Sequence, residues 1–309
     1  MMQAMNMKQH QNLRGELLRN ESMAKHTSWR VGGVAKLFYK PADIDDLSLF
    51  LSQQDSVENI TFIGLGSNLL VRDSGVDGIV ICTSSVLNSF VLNDDCSLYA
   101  EVGVPSPKLA RVAAKNSFSG SEFLCGIPGT FGGALAMNAG AMGGDTWSIV
   151  KNVTTIDKDG NITIRNADDF DFTYRSVKAR SDLNFELGTD EWFIAATLQL
   201  QQGVREESEQ KIKSHLARRA ATQPTQQPNA GSVFRNPIDD YAARLIESTG
   251  LKGFCIGGAC VSEKHANFII NTGTATANDI ESLITHIHKK VEEEMGICLI
   301  REVRIIGDE

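Results

Sequence analysis

The sequence predicts an α+β fold in two unequal parts, and three observations carry that expectation. Up to about residue 200, strand-like segments outnumber helical ones. After Leu200 the composition turns charged and helical, then breaks at Gln223-Pro224-Thr225-Gln226-Gln227-Pro228, which reads as a connection between domains. Within the first part, Gly126 to Gly144 forms a glycine-rich run with no charged residue, seven of its nineteen residues being glycine.

Residues 1 to about 22 are polar and Met-rich and read as a loose or helical lead-in. Val34 to Tyr39 reads as a strand. A helix is expected over about 43–53, started by Asp43, with Ile44, Leu47 and Leu51 on one face. Ile60 to Leu65, Ile79 to Cys82 and Leu98 to Val102 read as buried strands. Ser106-Pro107 starts a helix as N-cap and first-turn proline, running to about Asn116. Val153 to Ile164 reads as a hairpin turning at Asp159-Gly160, and Trp192 to Leu200 as a long alternating strand. Glu206 to Ala221 is helical. The last third is expected to hold a strand near Ser232, a helix over about 240–249 stopped by Gly250, and a strand near Phe268. A long helix starts at Thr276, with Asp279 completing a capping box. Its apolar positions Ile280, Leu283, Ile284, Ile287, Val291 and Met295 have core spacing, and Gly296 ends it. A final strand covers Leu299 to Ile306.

The chain has 309 residues, enough for two domains, and a net charge of −8. That balance argues against nucleic-acid binding, so an anionic substrate needs local positive charge. No apolar leader is seen, and no apolar stretch is long enough to span a bilayer. The six cysteines, Cys82, Cys96, Cys125, Cys255, Cys260 and Cys298, include no C-x-x-C pair. They read as reduced structural thiols, with no metal site.

The glycine run carries the strongest functional signal. Glycine lets backbone N–H groups approach a ligand closely, and successive N–H groups form nests that hold phosphate without a cation. No P-loop occurs, and in the partial G-x-G-x-x-G at Gly64 and Gly66 the third glycine is replaced by Leu69. Gly64-Leu65-Gly66-Ser67-Asn68, directly after an apolar strand, is a second nest. Two such loops favour a dinucleotide with a diphosphate. Read alone, the remaining polar residues stay ordinary: Ser232 a turn serine, Arg175 a surface ion pair, Glu302 and Arg304 a strand face, Arg219 a solvated helix end, Lys264 and His265 a surface turn.

Taken together and in order, several segments resemble the UDP-N-acetylenolpyruvoylglucosamine reductase family, over about residues 26–307. They are Thr27-Ser28-Trp29-Arg30-Val31-Gly32-Gly33, Gly64-Leu65-Gly66-Ser67-Asn68-Leu69-Leu70, and Gly126-Ile127-Pro128-Gly129-Thr130 through Asn138-Ala139-Gly140. Tyr174-Arg175-Ser176, Asn229-Ala230-Gly231-Ser232-Val233-Phe234-Arg235-Asn236-Pro237, Lys264-His265-Ala266-Asn267-Phe268 and Glu302-Val303-Arg304 continue them. The resemblance implies a vanillyl-alcohol-oxidase-type (PCMH-type) FAD domain at 23–200, in subdomains of about 23–85 and 86–200. A smaller α+β substrate-binding domain follows at 201–309. The short connection after Tyr174-Arg175 is similar to the family's second type. Ala136, Asp145 and Ala243 depart from the usual pattern.

By this resemblance the reaction is NADPH-dependent reduction of UDP-N-acetylglucosamine enolpyruvate to UDP-N-acetylmuramate in cell-wall synthesis. Hydride reaches C3 of the enolpyruvyl group by way of FAD, and C2 takes a proton from Ser232. Arg175 grips the substrate carboxylate with its planar fork, and Glu302 stabilises the same region. The FAD-binding residues are Gly64, Gly66, Ser67, Asn68, Leu69, Gly126, Ile127, Pro128, Gly129, Thr130, Gly132, Gly133, Asn138, Ala139 and Gly140. Tyr174, Arg219, Asn236 and Lys264 bind the UDP half. The FAD is expected to be non-covalent, with His26 a loop residue, and the enzyme to be a cytoplasmic monomer. The competing readings are another FAD-linked oxidase on the same scaffold and a non-catalytic nucleotide-binding module.

Overall fold

Two sheets organise the first two hundred residues of the computed structural model, which describes residues 12–54 and 59–308. The first has the strand order Glu16–Ser22, Val34–Lys40, Val76–Cys82, Ile60–Ile63. Its outer pair is antiparallel and the other pairings are parallel. The second is antiparallel, in the order Ile162–Asn166, Val150–Asp157, Glu191–Gln199, Ser97–Glu101, Phe90–Leu92. One continuous hydrophobic core joins the two sheets. It runs from Tyr39 and Phe50 through Leu98 and Phe131 to Ile194 and Leu198.

Helix α1 (Ile44–Ser52) starts where the sequence places it, because the Asp43 side chain accepts from the Asp46 N–H at 2.9 Å. Asp46 itself is 1% exposed. It accepts from the Tyr39 hydroxyl at 2.5 Å, the Arg14 N–H at 2.7 Å and the Ala42 N–H at 2.8 Å. Burial works to raise its pKa, but these donors win and hold it below the ordinary carboxylate value. A depressed carboxyl stabilises the fold fully above the unfolded-state pKa of about 4, and that contribution is lost as pH falls through the folded value. Asp46→Ala strands these donors. It should cost about 3 kcal/mol at neutral pH and flatten the acid limb of the stability curve. Urea unfolding of both proteins at pH 7 and pH 3 measures this, and an unchanged difference at the two values contradicts it.

Helix α2 (Ser106–Lys115) packs on the turn Glu122–Gly126, and helix α3 (Phe131–Ala136) packs on the strands Glu191–Gln199 and Ser97–Glu101 of the second sheet. Helix α4 (Arg205–Thr222) buries Ser208 and Ile212 against α2 and the turn Glu122–Gly126, with the Ser208 hydroxyl donating to Glu122 Oε1 at 2.8 Å. Helix α5 (Ala242–Ser248), a three-stranded ribbon and helix α6 (Ala277–Met295) build a second core around Leu245, Ile280, Leu283 and Ile287. The α6 capping box forms as expected, with reciprocal 3.0 Å bonds between Thr276 and Asp279, and Gly296 ends the helix at φ +67°. Side-chain hydrogen bonds are among the ties that link this core to the first part. Asp73 accepts from the Ala277 and Asn278 N–H groups, and fully buried Trp29 donates to Ile269 O at 2.7 Å.

Several expectations are corrected. Of the lead-in, residues 1–11 lie outside the described residues. Glu16–Ser22 is an edge strand, held by backbone pairing despite its polar side chains. The residue capping α2 is Pro105, so Ser106 is the first helical residue and its hydroxyl, though buried, has no partner. The strand at Glu191–Gln199 does not alternate: it is central in its sheet and Glu191 to Ala196 are all buried. No strand forms at Ser232, where Phe234 makes only a bridge to Arg301, and the final strand shortens to Arg304–Ile306. The cysteines are not all free thiols, since Cys255 and Cys260 are joined in a disulfide. Cys82, Cys96, Cys125 and Cys298 are free.

Candidate active site

The two glycine loops meet face to face. Gly64 ends the strand Ile60–Ile63, and a Cβ there would run into the Thr130 hydroxyl. Gly129, at φ +111°, leaves equally little room beside Ser67, whose hydroxyl donates to Pro128 O at 2.9 Å. Gly66 sits at φ +68° where a Cβ would run into His26 O, so no side chain fits. Among the described residues, the N–H groups of Gly64, Leu65, Gly66, Ser67 and Asn68 make no hydrogen bond within the protein. The Thr130 hydroxyl is buried without a partner. Unengaged donors beside an orphaned hydroxyl, in a cradle closed to side chains, fit the diphosphate and ring of a flavin dinucleotide.

The cavity at these loops is walled on its far side by residues from three distant segments: Arg175, Ser232 and Glu302. Arg175 stands at the tip of the hairpin formed by Phe170–Thr173 and Ser176–Ala179, in the left-handed region at φ +59°. Arginine is disfavoured there by about 1 kcal/mol or more, a cost tolerated where the side chain has a task. Asn138 fixes this hairpin to the glycine run, donating to Thr173 O at 3.2 Å while its own Oδ1 accepts from the Trp147 N–H at 3.0 Å.

Ser232 follows an Asx turn in which Asn229 Oδ1 accepts from the Gly231 N–H at 2.9 Å, with Gly231 at φ +75°. The next residue, Val233, accepts from the Glu302 N–H at 2.8 Å, which lays Ser232 alongside Glu302. Asn267 brackets the segment after Ser232: its carbonyl takes the Val233 N–H, and its side chain bonds both backbone groups of Phe234. Glu302 is brought to the flavin loop by the parallel pairing of Arg304–Ile306 with Leu69–Val71 and by Asn68 Nδ2 donating to Glu302 O at 3.2 Å. Its Oε1 lies 3.0 Å from Arg175 Nε, without the alignment of a full hydrogen bond. Burial pushes the Glu302 carboxyl above the ordinary value, against the pull of Arg175 and Arg235.

The cavity also takes in Gly64, Gly66, Ser67, Asn68, Leu69, Gly126, Ile127, Pro128, Thr130, Gly133, Ala139, Gly140 and Arg219. The remaining expected site residues are engaged elsewhere. Gly132 packs against Val102 and gives its N–H to Val102 O, and Gly129 and Asn138 shape the loop behind the wall. Tyr174 is exposed beside Arg175. Asn236 caps α5 through the Ala242 N–H at 3.1 Å, and Lys264 donates to Ala220 O at the end of α4. His26 stacks on Phe38 and bonds Glu21. The sequence reading missed Arg235, whose Nε is buried and unpartnered, and Arg304, which lines the same cavity. Both stood inside recognised segments; only the Phe234–Arg301 bridge and the pairing of Arg304 with Leu69 bring them to Glu302.

Known proteins agree with this geometry. Residues 35–165 match the family model of an FAD binding domain. Residues 223–306 match that of the UDP-N-acetylenolpyruvoylglucosamine reductase C-terminal domain. The UDP-N-acetylenolpyruvoylglucosamine reductase of Legionella pneumophila (strain Corby) is 55% identical over 295 residues, covering 95% of this chain and 93% of its own. The chain belongs to the UDP-N-acetylenolpyruvoylglucosamine reductase family. Another member, from Methylococcus capsulatus, is 50% identical over 96% of this chain and 94% of its own. The crystal structure of the family's enzyme from Thermus caldophilus superposes with a TM-score of 0.78 at 28% identity, covering 96% of this chain and all of that one. As a family member, the chain is an FAD-dependent oxidoreductase.

Proposed function

We propose that the protein reduces UDP-N-acetylglucosamine enolpyruvate to UDP-N-acetylmuramate with NADPH, and that Arg175, Ser232 and Glu302 perform the protein's share of the chemistry. The observation that carries this reading is their convergence from three segments onto one cavity beside the two glycine loops. Bound FAD, held by the free N–H groups of Gly64 to Asn68 and by the Gly126–Gly140 run, supplies the two-electron relay between NADPH and the enolpyruvyl ether.

The residues then divide the work. Arg175 orients the substrate carboxylate, on which negative charge builds as the double bond is reduced. Glu302, raised toward its protonated form by burial, donates to that same region and holds Arg175 in place. Ser232, on its anchored turn, delivers the proton to C2 from one fixed direction. The positive charge of Arg235 and Arg304 behind Glu302 stabilises the serine oxygen as its proton leaves. Arg219 faces the same cavity and serves the UDP half. Tyr174, Asn236 and Lys264 do not line this cavity, so of the expected UDP-binding residues only Arg219 supports this assignment.

The wider setting follows from the same reading: a cytoplasmic monomer whose product feeds the cell wall, and with it cell shape and division. The working division is an FAD-binding domain at 23–200, with subdomains of about 23–85 and 86–200, and a substrate domain at 201–309. Helix α4 packs on α2 in the first core and leads into the segment 223–228, which supports a division near this helix.

The protein should purify yellow, with FAD released intact by heat or acid, because His26 is committed to Glu21 and Phe38. A colourless protein that takes up no FAD, or flavin that stays on the denatured chain, contradicts this reading.

A further inference from the structure

The ribbon of the last third carries a feature that the reductase chemistry does not use. Cys255 and Cys260 face each other across a hairpin whose turn is Gly257-Gly258, with Ile256 paired to Ala259. A two-residue glycine turn fixes the register, so residues on either side of the inner pair must oppose one another. The two cysteines occupy such a position, flanked on the outside by the Phe254–Val261 hydrogen bond, and their Cα atoms are 4.1 Å apart. Opposed residues between hydrogen-bonded pairs have the closest side chains in an antiparallel ladder. The backbone therefore brings both sulfurs together whether or not they are bonded.

Access combined with an opposed partner separates this pair from the other thiols of the chain; Cys96 is half-buried and has no disulfide partner. Cys255 is exposed and Cys260 half-buried, whereas Cys82 and Cys125 are buried and their thiols are made less acidic by burial. Reactivity follows thiolate character and access, so the buried pair is inert. Cys298 is exposed beside His288 and has no disulfide partner. Among the described residues, Cys255 and Cys260 alone combine access with a resolving partner.

We propose that Cys255 and Cys260 form a reversible dithiol–disulfide site that exchanges with low-molecular-weight disulfides of the glutathione class. In the oxidising direction, the Cys255 thiolate attacks one sulfur of the small disulfide and releases one small thiolate, leaving a mixed disulfide on Cys255. Cys260, deprotonated, then attacks the Cys255 sulfur and expels the second small thiolate. Two protein thiols lose two electrons and two protons, and one small disulfide becomes two small thiols. Excess small thiol reverses both steps.

The site has a defined mechanical reach. The inner strand Ala259–Val261 pairs with Ile269–Asn271, which starts two residues after Asn267, and Asn267 brackets Val233 and Phe234 beside Ser232. Gly258 also donates to Asp279 of the α6 capping box, at 3.4 Å. Oxidation staples a ribbon on which the substrate-side core rests. Its readout is local rigidity and stability, because neither sulfur touches the cavity.

The test uses the FAD-loaded protein equilibrated in glutathione buffers from fully reduced to fully oxidised, quenched in acid, alkylated and mapped by peptide mass. The peptide holding Cys255 and Cys260 should pass reversibly from doubly alkylated to internally bonded, while Cys82 and Cys125 stay unmodified and Cys298 takes at most a mixed disulfide. The oxidised form should melt about 2–5 °C higher, as expected for closing a short loop in a chain of this size. Its amides from 253 to 261 should exchange more slowly. Cys255→Ser should abolish the melting difference and keep reductase activity. If that variant fails to fold, the wild-type titration decides. A pair that stays bonded in excess reduced glutathione, one that stays reduced in oxidised glutathione, or one that stops at a mixed disulfide on Cys255 overturns the proposal.

Discussion

Ser232→Ala should leave flavin reduction by NADPH near normal and slow flavin reoxidation by the enolpyruvyl substrate by about 10²–10⁴, the usual worth of a positioned general acid. The separation follows from geometry. Among the described residues the Ser232 side chain makes no hydrogen bond, while its backbone is held by neighbours on both sides: the Asn229–Gly231 turn and the Val233 bonds to Asn267 and Glu302. Removing one hydroxyl takes away the proton donor without loosening the turn, so FAD content and melting temperature should hold. Ser232→Cys should fall between, because a thiol still donates but is longer and differently placed. Stopped-flow measurement of the two half-reactions separates the outcomes. Near-normal reoxidation in Ser232→Ala removes Ser232 from the mechanism, and equal loss in both halves points to a damaged flavin site instead.

Arg175→Lys should bind FAD, keep flavin reduction, and lose about 10²–10³ in reoxidation. Lysine preserves the charge beside Glu302 but not the planar fork that orients a carboxylate, and one preorganised donor to developing charge is worth about that much. The pH dependence of the same half-reaction tests Glu302. Its carboxyl is raised by burial, so the donating, protonated form persists above the ordinary carboxylate range and is lost as pH rises through the raised value. Reoxidation in the wild type should decline across that limb. Glu302→Gln, which cannot ionise, should lack the limb and run slower overall. A variant with the wild-type pH limb intact assigns that ionisation to another group. A defect of Arg175→Lys confined to flavin reduction would move Arg175 to the nicotinamide side.

What could be read from the sequence depended on whether the signal was local. The α6 boundaries were legible because Thr276, Asp279 and Gly296 each satisfy helix-end groups within one turn. The same holds for Asp43 at α1 and for Gly160, at φ +86° in the hairpin turn. The edge strand Glu16–Ser22 was not legible, since an exposed edge needs no apolar alternation. The long strand at Glu191–Gln199 misled in the opposite way, because burial on both faces erases alternation. In the site, the glycine loops announced themselves, but their mutual contact through Thr130 and Ser67 is a tertiary fact. So is the gathering of Arg235 and Arg304 behind Glu302. The disulfide escaped because a spacing of five residues has meaning only once the Gly257-Gly258 turn fixes the register.

The most direct test of the account is NADPH oxidation by the purified FAD-loaded protein, under nitrogen, with and without UDP-N-acetylglucosamine enolpyruvate, followed by mass analysis of the nucleotide sugar. The account predicts steady NADPH consumption only when the enolpyruvyl sugar is present, one UDP-N-acetylmuramate formed for each NADPH oxidised. NADPH consumption that ignores the sugar, or that requires oxygen and leaves the sugar unreduced, contradicts it.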